Sequence, residues 1–79
     1  MRIEIFTGPG CGHCVRAKAM LDENGLDYTE RDIADPAVRE EFTTRLPREN
    51  TIPQVIVDGR HIGGSEDLLL WLESRADGM

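Results

Sequence analysis

The sequence lacks long apolar runs and has few basic residues. It contains no stretch of about 18 apolar residues, which excludes a membrane-spanning helix. Within residues 1–5, the acidic Glu4 stands where a secretory signal peptide needs an apolar segment, so we expect a cytoplasmic chain. Only 9 basic side chains accompany 15 acidic ones, and the resulting net charge of -6 argues against a nucleic-acid-binding protein.

Cysteine is also scarce, since the chain holds only Cys11 and Cys14. A length of 79 residues predicts a single domain, 1–79, with a limited core that disulfides often supplement. A disulfide between residues only three positions apart would remove little entropy from the unfolded chain, and so would stabilise the folded protein by about 2 kcal/mol. We therefore interpret the pair as a site of chemistry and not as a structural staple.

Hydrophobic periodicity and turn residues predict seven elements. The first half of the chain should form a strand over 2–6, a helix over 11–23 and a strand over 26–33 centred on Tyr28. A second helix is capped by Asp35 and ended by Pro47, and strands over 54–57 and 60–62 are joined by Asp58-Gly59. The last helix is capped by Ser65 and frays from Glu73 to Met79. Ile3 and Ile5 are expected on one face of the first strand. The last helix should bury Leu68, Leu69 and Leu72, with part of Trp71.

The order β-α-β-α-β-β-α predicts an α/β fold with a mixed sheet. The first strand, helix and second strand should form a right-handed parallel unit. The Asp58-Gly59 turn should add an antiparallel hairpin. A four-stranded sheet flanked by three helices satisfies both requirements.

The Cys11-Gly12-His13-Cys14 motif lies where the first predicted strand gives way to the first helix. The unpaired N–H groups and partial positive charge of a helix N-terminus favour a thiolate, and can lower a cysteine pKa from about 8.5 to between roughly 3.5 and 7.5. We therefore expect Cys11 to be an exposed nucleophile and Cys14 a more buried resolving thiol. Such a pair exchanges electrons with a substrate disulfide through a mixed disulfide.

Two other interpretations of this motif remain open. A zinc half-site would have Cys11, Cys14, His13 and His61 as its only Cys or His candidates, without a second closely spaced pair. Two inert reduced thiols are the other alternative. Attachment of a c-type haem is excluded because Val15, and not a histidine, follows Cys14.

The residues between the cysteines, Gly12 and His13, are candidates for redox tuning. A protonated His13 would stabilise the thiolate, favour the reduced form and make the pair more oxidising. The helix dipole disfavours an imidazolium at this position. The alternative is a solvated histidine with little effect.

Residues 51–53 lead into the third strand and contain Ile52-Pro53. A cis Ile52-Pro53 bond would expose the Ile52 backbone beside the thiols, where its N–H and C=O could pair with an extended peptide or glutathione. A trans proline that simply opens the strand is the alternative.

Gly63-Gly64 precedes the last helix and allows a close backbone approach. The N–H groups of Ser65 and Glu66 would then point outward and suit a carboxylate. An ordinary loop with Ser65 as the helix cap is the alternative.

In this order and spacing, the motifs resemble the glutaredoxin family of the thioredoxin-like superfamily, and most closely its small bacterial-type dithiol members. The similarity covers nearly the whole chain. The matching segments are Ile5-Phe6-Thr7, Cys11-x-x-Cys14, Arg16-Ala17-Lys18, Thr51-Ile52-Pro53-Gln54 and Ile62-Gly63-Gly64-Ser65-Glu66-Asp67-Leu68.

The resemblance implies a monomeric, cytoplasmic, glutathione-dependent thiol–disulfide oxidoreductase that serves electron transport and cell redox homeostasis. It would reduce protein disulfides and protein–glutathione mixed disulfides, with Cys11 attacking and Cys14 resolving. Pro53 is cis in the family. Glutathione, as co-substrate, would bind at the positions that match family contacts: Thr51, Ile52, Pro53, Gly64, Ser65, Glu66, Asp67 and Arg39.

Two positions depart from the family pattern. Gly12 and His13 replace the common Pro-Tyr pair and give a Cys-Gly-His-Cys motif typical of protein disulfide isomerases, whose longer domains the rest of the chain does not follow. Gly8 stands where the family usually has a lysine that pairs with the glycine carboxylate of glutathione. Arg39, or less clearly Arg48, could replace that lysine.

Two alternative functions follow from the same resemblance. One is a redoxin that is reduced by a thioredoxin-reductase-like partner. The other is a dimer that bridges a [2Fe–2S] cluster through Cys11 of each subunit and two glutathiones; Gly12 suits this role, whereas the presence of Cys14 weakens it. No other metal is expected.

Overall fold

The computed structural model describes residues 1–77 and contains the predicted order of elements. Gly78 and Met79, the end of the segment predicted to fray, lie outside the described residues. The elements are β1 Ile3–Thr7, α1 Gly12–Glu23, β2 Thr29–Asp32, α2 Pro36–Arg45, β3 Gln54–Val57, β4 Arg60–Gly63 and α3 Ser65–Asp77. Among the described residues, no helix is long and apolar enough to cross a bilayer.

The four strands form one mixed sheet in the order β2-β1-β3-β4. β1 runs parallel to β2, with Glu4 opposite Thr29. It runs antiparallel to β3, with Phe6 opposite Gln54, and β3 pairs antiparallel with β4. β1 and β3 are therefore the central strands. The mixed sheet with three helices confirms the predicted fold class.

β1 is buried on both faces, and Ile3 and Ile5 share one of them as predicted. Ile3 and Ile5 pack into a core that includes residues of α1 and α3. Phe6 points to the opposite side and packs on Phe42 of α2, with ring centroids 5.2 Å apart and nearly perpendicular. The alternating pattern concealed this second face because Glu4, although polar, is also buried.

β2 is shorter than predicted, and Tyr28 precedes it instead of marking its centre. Only residues 29–32 have partners on β1. Leu26 belongs to the turn that closes α1, because its N–H donates to the Leu21 carbonyl at 3.0 Å. Leu26 and Tyr28 pack against the core from this connection without joining the sheet.

The second helix agrees with the sequence prediction. Asp35 caps it, since its carboxylate accepts the N–H of Ala37 at 2.9 Å, and Pro36 occupies the first turn. Phe42 and Leu46 are buried against the face of the sheet that carries Phe6. The helix leaves its other face to solvent.

The third helix differs from the prediction at both ends. It begins at Ser65, which is therefore its first helical residue and not its cap, and it continues to Asp77 instead of fraying from Glu73. Leu68 and Leu72 are buried as predicted. Leu69 is only partly covered because it lies at the edge of the buried stripe.

Glu4 is a buried carboxylate on β1 that α2 neutralises. Arg45 holds it with a fork of two hydrogen bonds, Nη1 to Oε1 and Nη2 to Oε2, both 3.1 Å. Arg45 also pairs with Glu41 at 2.9 Å, and Arg31 of β2 contacts Glu41 and lies 3.9 Å from Glu4. The Arg45 hydrogen bond lowers the pKa of Glu4. These ion pairs fasten α2 to the sheet.

Replacing Glu4 by Gln should lower the free energy of unfolding at neutral pH by about 2 kcal/mol, because hydrogen bonds to charged groups contribute about 1.5–3 kcal/mol. Since the folded-state pKa lies below the usual 4.5, this stabilisation is present above that pH and is lost as the pH falls through the lowered pKa. Urea unfolding of both proteins from neutral pH to about pH 3 should show the difference shrinking. Glu23→Gln, at an exposed position, is the control, and a difference that persists unchanged in acid would contradict the role of Arg45.

Candidate active site

Cys11 and Cys14 lie at the N-terminus of α1, directly after the turn that follows β1. Cys11 is the cap residue, and its Sγ accepts the backbone N–H of Cys14 at 3.1 Å. The two residues form a disulfide, with Cα atoms 5.3 Å apart. Cys14 is buried, with 2 % of its surface exposed, whereas Cys11 is partly exposed. The relative exposure is the one predicted, and the roles of nucleophile and resolving thiol stay predictions.

The segment before β3 lies against Cys11. The carbonyl oxygen of Ile52 is 3.7 Å from the Cys11 Sγ. The Ile52–Pro53 peptide bond is cis, as the family resemblance implied. The backbone of Ile52 therefore stands beside the more exposed sulfur.

A groove of about 390 Å³ extends from this point to the start of α3. It brings together residues from three separate parts of the chain. Its lining residues are His13, Thr51, Ile52, Pro53, Gly64, Ser65, Glu66 and Asp67. The predicted glutathione contacts are thus neighbours in space, with the exception of Arg39.

The start of α3 has a tightly defined backbone. Gly63 has φ of 129°, and a Cβ atom there would collide with the Asp67 side chain. Asp67 accepts the N–H of Gly64 at 3.0 Å. The N–H groups of Ser65 and Glu66 belong to the first turn, where helix geometry provides no partner within the helix. This end of the groove can receive an anionic group.

The predicted basic contacts lie elsewhere. Arg39 is exposed on α2 and is not among the residues that line the groove. Arg48 lines a different depression, with His61 and Glu49 among its neighbours. The roles of Arg39 and Arg48 in binding glutathione stay predictions.

Gly8 does not line the groove, but it lies next to Ile52, which does. A Cβ atom at Gly8 would lie 2.6 Å from the Cδ1 of Ile52. The position usually occupied by lysine in the family is therefore close to Ile52, but here it supplies no cation. Gly12, by contrast, faces open space.

Two polar clusters near the site were not predicted from the sequence. Glu30 of β2 accepts hydrogen bonds from Lys18 of α1 at 2.9 Å and from Thr7 at 2.8 Å, and these bonds lower the pKa of Glu30. In the second cluster, the buried Gln54 donates from its Nε2 to the carbonyl oxygen of Thr51 at 3.2 Å. The sequence signals for Gln54 were its place in the Thr51-Ile52-Pro53-Gln54 segment and an amide in an otherwise apolar strand, neither of which names its partners. No local signal pairs Lys18 with Glu30.

Comparison with known proteins identifies the family to which the chain belongs. The family model for glutaredoxins matches residues 3–62. Glutaredoxin 3 of Escherichia coli is 38 % identical over 66 residues, which cover 84 % of this chain and 80 % of that protein. The chain belongs to the glutaredoxin family.

Solved structures agree with this assignment. Glutaredoxin 1 from Francisella tularensis superimposes with a TM-score of 0.79 at 30 % identity, covering 96 % of each chain. A buckwheat glutaredoxin, solved in complex with glutathione, has a TM-score of 0.73 at 26 % identity, covering 96 % of this chain and 69 % of that one. The thioredoxin-like fold is confirmed. Family, fold and the Cys11–Cys14 pair together identify a thiol oxidoreductase.

In the reduced protein, iodoacetamide should modify Cys11 well before Cys14, because Cys14 is almost fully buried and Cys11 lies at the open end of α1. Brief alkylation near neutral pH followed by peptide mass spectrometry measures the order. Denatured protein is the control and should show the two thiols reacting at similar rates. Preferential labelling of Cys14 in the native protein would reverse the assignment of nucleophile and resolving thiol.

Proposed function

We propose that this protein is a glutathione-dependent oxidoreductase that reduces protein–glutathione mixed disulfides and protein disulfides. The observation that carries the proposal is the groove that runs from Ile52 to the start of α3, with the Ile52 carbonyl oxygen 3.7 Å from the Cys11 Sγ. The buckwheat relative solved with glutathione adds support. Cytoplasmic location and a monomeric state stay predictions, as does the extent of the domain over 1–79.

Reduction of a glutathionylated protein would need Cys11 alone. Its thiolate attacks the glutathione sulfur of the mixed disulfide, forms a Cys11–glutathione disulfide and releases the substrate cysteine as a thiolate, which takes a proton from solvent. A second glutathione, as thiolate, then attacks the bound glutathione sulfur. This step releases oxidised glutathione and restores the Cys11 thiolate. The net reaction consumes one free glutathione thiol, because the other half of the oxidised glutathione is the glutathionyl group carried by the substrate.

Reduction of a protein disulfide would use both cysteines. Cys11 attacks one substrate sulfur, and the other substrate sulfur leaves as a thiolate. Cys14 then attacks Cys11 in the mixed disulfide, which frees the second substrate thiolate and forms the Cys11–Cys14 disulfide. Two glutathione molecules regenerate the dithiol in successive exchanges. The 5.3 Å separation of the Cα atoms is compatible with this internal disulfide.

The proposed binding mode assigns each end of the groove to one part of glutathione. The cysteinyl part would pair with the Ile52 backbone beside Cys11. The γ-glutamyl carboxylate would accept the N–H groups of Ser65 and Glu66 and the Ser65 hydroxyl at the positive end of α3. Thr51 and Asp67 complete the contacts. We keep His13 and Gly12 as proposed determinants of the redox potential, since both are exposed beside the disulfide.

An assay coupled to glutathione and glutathione reductase tests this function. Wild type should reduce a glutathionylated model protein, and Cys11→Ser should lose all activity. Cys14→Ser should retain activity on the glutathionylated protein but lose it on an intramolecular protein disulfide. Activity that appears only with thioredoxin reductase would replace the proposal by the redoxin alternative. The [2Fe–2S] alternative requires a second subunit and stays a prediction.

The start of α3 offers a sharper test of glutathione recognition. Ser65→Pro removes both the N–H and the hydroxyl, and proline is well tolerated at the first helical position, whereas Ser65→Ala removes only the hydroxyl. Because a hydrogen bond to a charged group contributes about 1.5–3 kcal/mol, KM for a glutathionylated peptide should be roughly ten-fold higher in Ser65→Pro than in Ser65→Ala. Thermal unfolding checks that the helix is retained. Equal KM values in the two folded variants would exclude a ligand on the Ser65 N–H.

A further inference from the structure

Gln54, the first residue of β3, is a buried side chain with every polar atom engaged. It has 3 % of its surface exposed. Its Nε2 donates to Glu49 Oε2 at 3.0 Å and lies 3.2 Å from the Thr51 carbonyl oxygen and 3.3 Å from the Thr51 Oγ1. Its Oε1 lies 2.7 Å from the Nε2 of His61 on β4. The amide thus connects two strands to the loop that precedes Pro53.

The chemistry of these partners determines which way the amide faces. The Glu49 carboxylate and the Thr51 carbonyl are acceptors only, so the Gln54 NH₂ group must face them. Its oxygen must then accept the hydrogen bond from His61. The His61 Nε2 therefore carries the hydrogen, whether the ring is neutral or protonated. A histidine at residue 61 is a donor that holds Gln54 in this orientation.

The hydrogen bonds of Gln54 hold the residue that precedes the neighbour of the Cys11 sulfur. Gln54 holds the carbonyl and the hydroxyl oxygen of Thr51, which lines the groove. The next residue, Ile52, places its carbonyl oxygen 3.7 Å from the Cys11 Sγ. Because the Thr51 hydroxyl already accepts from Gln54, its own hydrogen is free to point to a ligand in the groove.

We propose that Gln54 and His61 are positioning residues that hold the wall of the groove formed by residues 51 and 52 in its binding geometry. This proposal rests on the proposed function, because the groove is taken to be the glutathione site. Neither side chain is among the groove-lining residues, so both act through Thr51 and Ile52. Their loss should impair binding of the glutathione moiety more than the exchange of sulfur atoms at Cys11.

Steady-state kinetics with a glutathionylated peptide test the proposal. Gln54→Met keeps the length of the side chain without its hydrogen bonds, and His61→Phe removes the Nε2–H. Each should raise KM roughly three- to ten-fold, the size expected for lost hydrogen bonds, with kcat within about two-fold. His61→Gln, which restores an N–H donor, should recover most of the loss. Arg60→Ala, an exposed neighbour on β4, is the matched control.

Two outcomes for the variants that lose hydrogen bonds would overturn the proposal, and so would one outcome of the rescue variant. One is an unchanged KM in His61→Phe, a variant at an exposed site that is expected to fold. The other is a fall in kcat at constant KM, which would place the effect on the sulfur chemistry. Failure of His61→Gln to rescue would show that ring packing, and not the donor, is what matters, and would also refute the proposal.

A ligand-free measurement separates this proposal from the proposed function. ¹⁵N relaxation of the reduced protein should show lower order parameters for residues 49–52 in Gln54→Met and His61→Phe, with α1 unchanged. If wild type has no activity with glutathione but the loop loosens as expected, the proposed function fails and the positioning role survives. A loop that stays as rigid as in wild type would refute the positioning role whatever the activity.

Discussion

Burial of β1 on both faces is the constraint from which the arrangement of the chain follows. A strand covered on both sides requires helices above and below the sheet, and α1 and α3 cover one face while α2 covers the other. The end of β1 then leads into α1 with Cys11 at its cap. β3 pairs antiparallel to β1, with Phe6 opposite Gln54, so the residues that precede β3 lie beside the end of β1.

The same geometry brings the third part of the site into place. β4 runs antiparallel to β3, with Gly63 opposite Val55, and therefore runs in the same direction as β1. The carboxyl ends of β4 and β1 thus lie at the same end of the sheet. α3 begins there, with only Gly64 between the two elements. The Cys11 sulfur, the Ile52 carbonyl and the first N–H groups of α3 therefore meet at one end of the sheet. Their proximity is a consequence of strand direction and needs no long functional loop.

Much of this arrangement could be predicted from the sequence. The apolar periodicity of α2, the Asp58-Gly59 turn and the two cysteines at a strand–helix boundary are local patterns that specify local structure, and the structure confirms them. The double burial of β1 could not be predicted, because Glu4 interrupts the apolar pattern and its neutralising partner, Arg45, is 41 positions away. The contacts of Gln54 with His61 and Thr51 could not be predicted either, because no spacing rule pairs these side chains.

The two buried polar residues also explain how so small a chain can carry a reversible disulfide. Opening the Cys11–Cys14 bond releases only a very short loop, so the bond itself adds little to stability through the unfolded state. The fold depends instead on its two apolar clusters and on the fastening of α2 through Glu4 and Arg45. The wall of the groove is held separately, by Gln54. Because neither of these contacts involves a cysteine, we expect the scaffold and the groove to keep their geometry when the thiols change oxidation state.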